Sequence, residues 1–325
     1  MRLRIRWRSR WFQRAVKPSP QHTMATVISG EERDLRGQDS ARGAEILENS
    51  SVETVELGAL AKLPPFRPVV ISLLRLFDRR DVKMDEVAAL VKSDPTITSE
   101  LLAVVNSSLF GLRQNVASES HAISLLGVER TRSLAATLAT RSLLQNGPRT
   151  PVVRRLWTHS IATATIARHF AASFGAAPEL SHVAAMLHDL GRSGLLAAHP
   201  VAYSRLALAA HESTEEILAQ ELAEFGMTHC HAGMLLARAW RLPDVLRKTA
   251  GHHHEISSAD PVVALVQLCC RLADDFMYQA IHRSDIRKPE ETIAGYAPER
   301  LREHLSSQLA EVNALVVTAI QGLDF

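Results

Sequence analysis

The chain has 325 residues, of which 46% are hydrophobic and 22% charged. Those values suit a globular protein with a substantial core and exclude a disordered chain, a collagen-like repeat and a disulfide-stapled miniprotein. The net charge of +2 hides an asymmetry: residues 1–17 hold six Arg and one Lys with no acid, and without those seven charges the rest stands at −5.

A mildly acidic body gives no general case for nucleic-acid binding. The basic leader could touch anionic lipid or RNA. We read it instead as a tail outside the fold, or as an over-long start with translation beginning at Met24. The three cysteines are Cys230, Cys269 and Cys270, with no Cys-x-x-Cys pair. That is too few for a disulfide framework and points to a reducing cytoplasm. No stretch approaches the roughly 18 uninterrupted apolar residues of a membrane span. No apolar signal region follows the leader either.

In chain order, residues 1–56 read as a basic, then polar lead-in, and structure is expected to begin near residues 57–63. Val69, Val70, Leu73, Leu74, Leu76 and Phe77 recur at helical spacing. Residues 81–93 repeat the pattern. Asp94-Pro95-Thr96 starts another helix, with Pro in the first turn where its missing N–H costs little. A short helical piece ends at Gly127, and one more helix follows through Leu134, Leu138 and Leu143. Asn146-Gly147-Pro148 breaks the pattern and sets a boundary at 146–151. Beyond it, helices are expected over 152–174, 179–190, 201–210, 214–224, 228–240, 243–253, 261–282 and 298–321. Alternating strand-like runs are nearly absent. The fold class is therefore all-α with two helical lobes, residues 57–146 and 147–255. Residues 256–325 supply C-terminal helices that complete the second lobe.

The second lobe is rich in histidine. His188-Asp189 stands at an expected helix end in Leu187-His188-Asp189-Leu190-Gly191-Arg192. The two side chains project about 100° apart, so both can face one metal, or the carboxylate can bridge two. Gly191 is expected to stop the helix in a left-handed conformation. His159 lies mid-helix among apolar neighbours. His229 begins a helix, and His252, His253 and His254 end one. His229 and His231 point to opposite helix faces and cannot share an ion. Any one of these rings is explained as well by a bond to a carbonyl or carboxylate. As a set they need a reason to be buried.

The order of motifs resembles the HD superfamily of metal-dependent phosphohydrolases. From about residue 57 to 255 it resembles the HDOD domain, the HD-related output domain of bacterial signalling proteins, more closely. Leu63-Pro64-Pro65-Phe66, Ser93-Asp94-Pro95-Thr96, Asn106-Ser107-Ser108-Leu109-Phe110-Gly111 and Ser124-Leu125-Leu126-Gly127 carry the resemblance in the first lobe. Trp157-Thr158-His159-Ser160, Leu187-His188-Asp189, Phe225-Gly226-Met227-Thr228-His229 and His253-His254 carry it in the second. It implies an HD-like helical bundle. It also implies metal ligands at His159, His188, Asp189, His229 and one or both of His253 and His254, with Zn, Fe or Mn as the ion. Cys270 stands where the family's closing Asp is expected, and Asp274 lies one turn further along. A thiolate suits zinc, whereas Mg²⁺ and Mn²⁺ prefer oxygen. Arg192 replaces the usual Lys.

The resemblance implies one of two functions. The first is a regulatory module, without catalysis, that acts through signalling proteins or a phosphorylated small ligand. The second is a phosphohydrolase acting on a nucleotide or other phosphoester. In that case Asp189 and Arg192 would serve the reaction, Arg192 by neutralising phosphate. The missing closing carboxylate favours the first.

Overall fold

A computed structural model describes Gly58, Leu60 and residues 62–107, 115–145, 150–255 and 258–322. The lead-in, and residues 146–149 at the expected lobe boundary, lie outside the described residues. Residues 49–325 form one compact unit.

The described chain is helical, with no strand beyond a single bridge between His211 and Arg283. The first group of helices is α1 (Pro68–Arg75), α2 (Met84–Lys92), α3 (Pro95–Val105), α4 (Glu119–Leu126) and α5 (Val128–Gln145). The second group begins with α6 (Pro151–Phe170), α7 (Pro178–Leu187), α8 (Leu190–Ala198) and α9 (Pro200–Leu208). It continues with α10 (Thr214–Phe225), α11 (His229–Ala239), α12 (Asp244–His252) and α13 (Pro261–Asp275). The last three are α14 (Pro289–Tyr296), α15 (Glu299–Ser306) and α16 (Leu309–Gly322). The fold class is all-α, as the helical spacing predicts.

Capping explains many of the starts. Asp94, Thr150 and Asp260 each precede a Pro and accept hydrogen bonds from the first-turn amides of α3, α6 and α13. Such a pair satisfies orphan donors and presets the backbone. Helix α6 is buried on nearly every side from Val152 to Phe170, so it has no solvent stripe. It serves as the central post, with α7, α13 and α16 packed around it. Helix α11 packs on α8 and α12, and α12 packs on α7 and α13.

Several expected boundaries shift. The helix expected over 179–190 ends at Leu187, and the next begins at Leu190, so His188-Asp189 forms the joint between α7 and α8. Helices α8 and α14 were not expected. The helix expected over 261–282 stops at Asp275, because Met277 adopts φ 70° and the Tyr278 amide turns back to the Ala273 carbonyl. That is a left-handed helix ending without glycine. The stretch expected over 298–321 is split between α15 and α16.

Gly191 needs the largest correction. It does not terminate a helix in the left-handed region; the positive-φ glycines among the described residues are Gly127, Gly175 and Gly226. Gly191 lies inside α8, where a Cβ would stand 1.8 Å from the His229 carbonyl oxygen and 2.5 Å from the Gly233 nitrogen. Its role is to let α8 touch the backbone of α11. The contact is backbone against backbone, so no side chain can move aside to relieve it.

Gly191→Ala should therefore cost on the order of 3 kcal/mol or more, at the upper end of overpacking penalties. Gly226→Ala has open space around it and should cost about 1 kcal/mol for its positive φ alone. Urea denaturation midpoints of the two variants check the order.

Candidate metal centre

Five elements converge on the joint between α7 and α8. His159 comes from the middle of α6, and His188 and Asp189 come from the joint itself. His229 opens α11, His253 closes α12, and Cys270 faces inward from α13. His159, His188, Asp189, His229, His253 and Cys270 are all buried, with Asp189 the most accessible at 6%.

Asp189 sits at the N-terminal end of α8 without capping it. Its carboxylate instead divides the imidazoles into two pairs. Oδ2 lies 3.7 Å from His159 Nε2 and 3.6 Å from His188 Nε2. Oδ1 lies 3.5 Å from His229 Nε2 and 3.3 Å from His253 Nε2. Within the pairs, the Nε2 atoms are 3.2 Å apart for His159 and His188, and 3.3 Å apart for His229 and His253.

The opposite edge of each ring settles its tautomer. His159 Nδ1 is 2.7 Å from the Tyr278 carbonyl, and His188 Nδ1 is 2.6 Å from the Ala185 carbonyl. His229 Nδ1 is 2.6 Å from Glu221 Oε2. His253 Nδ1 is 3.2 Å and 3.1 Å from the carbonyls of Thr249 and Ala250. All of these partners are acceptors, so each neutral ring carries its hydrogen on Nδ1 and turns a lone pair inward. Such outer partners orient metal-binding histidines. Two pairs of lone pairs then face each other across about 3.2–3.3 Å. Without a cation between them that arrangement is repulsive.

The charge states agree. Burial pushes the His188 pKa well below its ordinary value, against the pull of Asp189. Burial, then Arg192, lowers that of His229 against Glu221. Neutral imidazole is the form that binds metal. Burial alone would raise the Asp189 carboxyl, but the Arg192 guanidinium beside it overrides that and holds the group ionised. Its Oδ1 has no hydrogen-bond partner among the described residues. An ionised, buried oxygen without a donor calls for a cation.

The spacings fit one. A tetrahedral ion held at about 2.0–2.1 Å by nitrogen sets those nitrogens about 3.3–3.4 Å apart. The residues present thus suit one ion on each side of Asp189.

Sequence reasoning missed the supporting layer. Glu221 is fully buried and accepts from both the ring and the backbone N–H of His229. It also accepts from Arg192 at 3.1 Å and from the Tyr203 hydroxyl at 3.0 Å. Glu221 and Tyr203 carry no motif; only their burial in amphipathic helices distinguishes them. Asp274 does not reach the inner edge of His159. It stands 3.4 Å from the outer nitrogen, Nδ1, and pairs with Arg283 at 2.7 Å.

Arg192 departs from expectation. Its Nε is 3.0 Å from Asp189 Oδ2, and its Nη1 reaches Glu221 and Tyr203. A guanidinium already answered by two buried carboxylates acts first as a tether for Asp189. His254 lies beside two of the inward rings. Its ring is tilted against His253 with centroids 4.2 Å apart and edge-on to His229 at 5.0 Å, its ligand atom falls within 4.8 Å of those of His229, Cys230 and His253, and neither of its nitrogens has a hydrogen-bond partner among the described residues.

A narrow cleft with a cavity volume of about 10 Å³ opens beside the centre. It is lined by His159, Asp189 and His254 near the rings, and by Ile217 and Ile281 farther out. Its two arginines, Arg192 and Arg283, are both paired with carboxylates.

Glu221→Gln keeps an oxygen near His229 but removes the charge. Metal affinity, measured by competition with a chelator, should fall about 10–100-fold. Far-ultraviolet circular dichroism should not change.

The sequence pattern of the HDOD domain matches residues 63–256. An uncharacterized protein from Treponema pallidum (strain Nichols) is 24% identical over 275 residues, which is 79% of this chain and 52% of that protein. The chain thus spans about half the length of that curated relative. Among solved structures, an HDOD domain protein of unknown function from Geobacter sulfurreducens is 25% identical, with a TM-score of 0.59 over 79% of this chain and 93% of that one. A candidate signal transduction protein from Marinobacter aquaeolei VT8 is 17% identical, with a TM-score of 0.66 over 85% of this chain and 67% of that one. At that identity the likeness is one of fold. No helix of the described residues is long and apolar enough to cross a membrane. The family pattern spans more than half of the sequence, and the chain belongs to the HDOD family.

Proposed function

We propose that this HDOD protein is a cytoplasmic regulatory module whose metal centre shapes the domain and does not turn over substrate. It would act by presenting its helical surfaces to signalling proteins. The observation that carries this reading is the state of the cleft's cations. Arg192 and Arg283 are each committed to buried carboxylates, so neither offers an uncompensated charge to a phosphoryl group. At about 10 Å³ the cleft is also far smaller than the roughly 300–1,000 Å³ of most small-molecule sites. Cys270, where the family's closing Asp is expected, further changes the charge available to hold a hard ion.

The second reading is a metal-dependent phosphohydrolase. The observation that favours it is the survival of four inward Nε2 atoms around one carboxylate. A bound divalent ion would supply Lewis acidity and a lowered pKa for water. His159, His188, His229 and His253 would hold it with Asp189, while Glu221 and Asp274 orient the rings. Arg192 would have to release part of its carboxylate pairing to meet phosphate.

Elemental analysis of the purified protein, paired with a phosphoesterase screen over several divalent ions, separates the readings. The regulatory reading expects bound metal that is lost in His188→Ala and Asp189→Ala, with no turnover of any phosphoester. Turnover by the wild type that Asp189→Ala abolishes would overturn it. Residues 1–17 remain a possible contact for an anionic surface. Phosphate contacts there would show as steep salt dependence, lost on deleting residues 1–23.

A further inference from the structure

The centre holds two thiols as well as imidazoles, one beside each half. Cys270 Sγ lies 3.7 Å from His159 Nε2, and the ligand atoms of His159, His188 and Cys270 all fall within 4.8 Å of one another. Cys230 Sγ lies 3.6 Å from His229 Nε2, and the ligand atoms of His229, Cys230, His253 and His254 fall within the same 4.8 Å. The thiols come from different helices, α13 and α11, and flank Asp189 on opposite sides. Cys269, next to Cys270, packs into the apolar core instead.

The distances are those of shared coordination. With about 2.3 Å from zinc to sulfur and about 2.0–2.1 Å to nitrogen, a tetrahedral edge between them measures about 3.6 Å. Both sulfurs sit at that separation from an inward-facing lone pair. A hydrogen bond from sulfur to the inward lone pair is the alternative, and the thiol is a weak donor.

Charge points the same way. Asp189 is the one carboxylate that faces all four inward nitrogens. Two buried dications with a single carboxylate between them, and Arg192 against that carboxylate, would leave a large uncompensated positive charge. Two thiolates reduce it by two.

We propose that Cys230 and Cys270 are metal ligands, Cys270 joining His159 and His188 and Cys230 joining His229 and His253, and that the centre therefore selects a thiolate-accepting ion such as Zn²⁺ over Mg²⁺ or Mn²⁺. This rests on the metal-centre reading above and adds the identity of the ion. On binding, each sulfur–hydrogen bond is replaced by a sulfur–metal bond and the proton passes to solvent; no electron is transferred. The result is a soft centre on a scaffold whose relatives would close it with oxygen.

Cobalt titration of the metal-free full-length chain tests it. Binding should produce visible ligand-field bands together with near-ultraviolet sulfur-to-cobalt charge transfer. Cys230→Ser and Cys270→Ser should each remove about half of the charge-transfer intensity, since each set has one thiolate. The double variant should lose it while keeping the visible bands, and Cys269→Ser should match the wild type. Cadmium-113 resonance of the wild type, displaced downfield by sulfur, gives the same answer without any variant. Cobalt bound with visible bands but no charge transfer would overturn the thiolate ligands and leave the histidine centre standing. Failure of the wild type to bind cobalt would overturn both.

Discussion

A buried carboxylate with an unanswered oxygen organises the second half of this protein. Asp189 is ionised, nearly inaccessible, and faced by four imidazole nitrogens that turn lone pairs toward it and toward each other. Burying that much electron density costs several kcal/mol per uncompensated group unless positive charge joins it. Arg192 supplies part of the compensation from one side. A cation between the nitrogens would supply the rest, and the surrounding helices hold the geometry in which it fits.

That geometry depends on close backbone contact. His188-Asp189 occupies the joint between α7 and α8, and α8 must lie against the start of α11 for His229 to approach. Gly191 and Gly233 make the approach possible, because a side chain at Gly191 would occupy the space of the His229 carbonyl. The carbonyl of Tyr278 reaches His159 only because the chain reverses at Met277, directly after α13. Packing and coordination are thus one problem here. The residues that bring helices together also aim the rings.

A site equipped for phosphoryl chemistry needs positive charge free to meet phosphate. Glu221 and Asp189 absorb the charge of Arg192, and Asp274 and Asp285 absorb that of Arg283. A cleft whose cations are internally paired favours binding that does not require a free positive charge. This is the physical basis for the proposed regulatory role.

The sequence alone determined the all-α class, the helix start at Asp94-Pro95, the order of the histidine motifs and the presence of Cys270 among them. These features are local: helical period, capping chemistry and short motifs are written within a few residues of one another. It misjudged Gly191 because a glycine in sequence does not say whether it serves a left-handed turn or a close approach. It did not reveal α8 as a helix, Glu221 and Tyr203 as supports, Cys230 as a neighbour of His229 and His253, or Arg192 as already paired. Those depend on contacts between segments as far apart as His159 and Tyr278, 119 positions along the chain. Only the folded arrangement decides which nitrogen of His159 and His229 faces inward, because the acceptor that holds the other nitrogen, the Tyr278 carbonyl or Glu221, comes from a separate turn or helix.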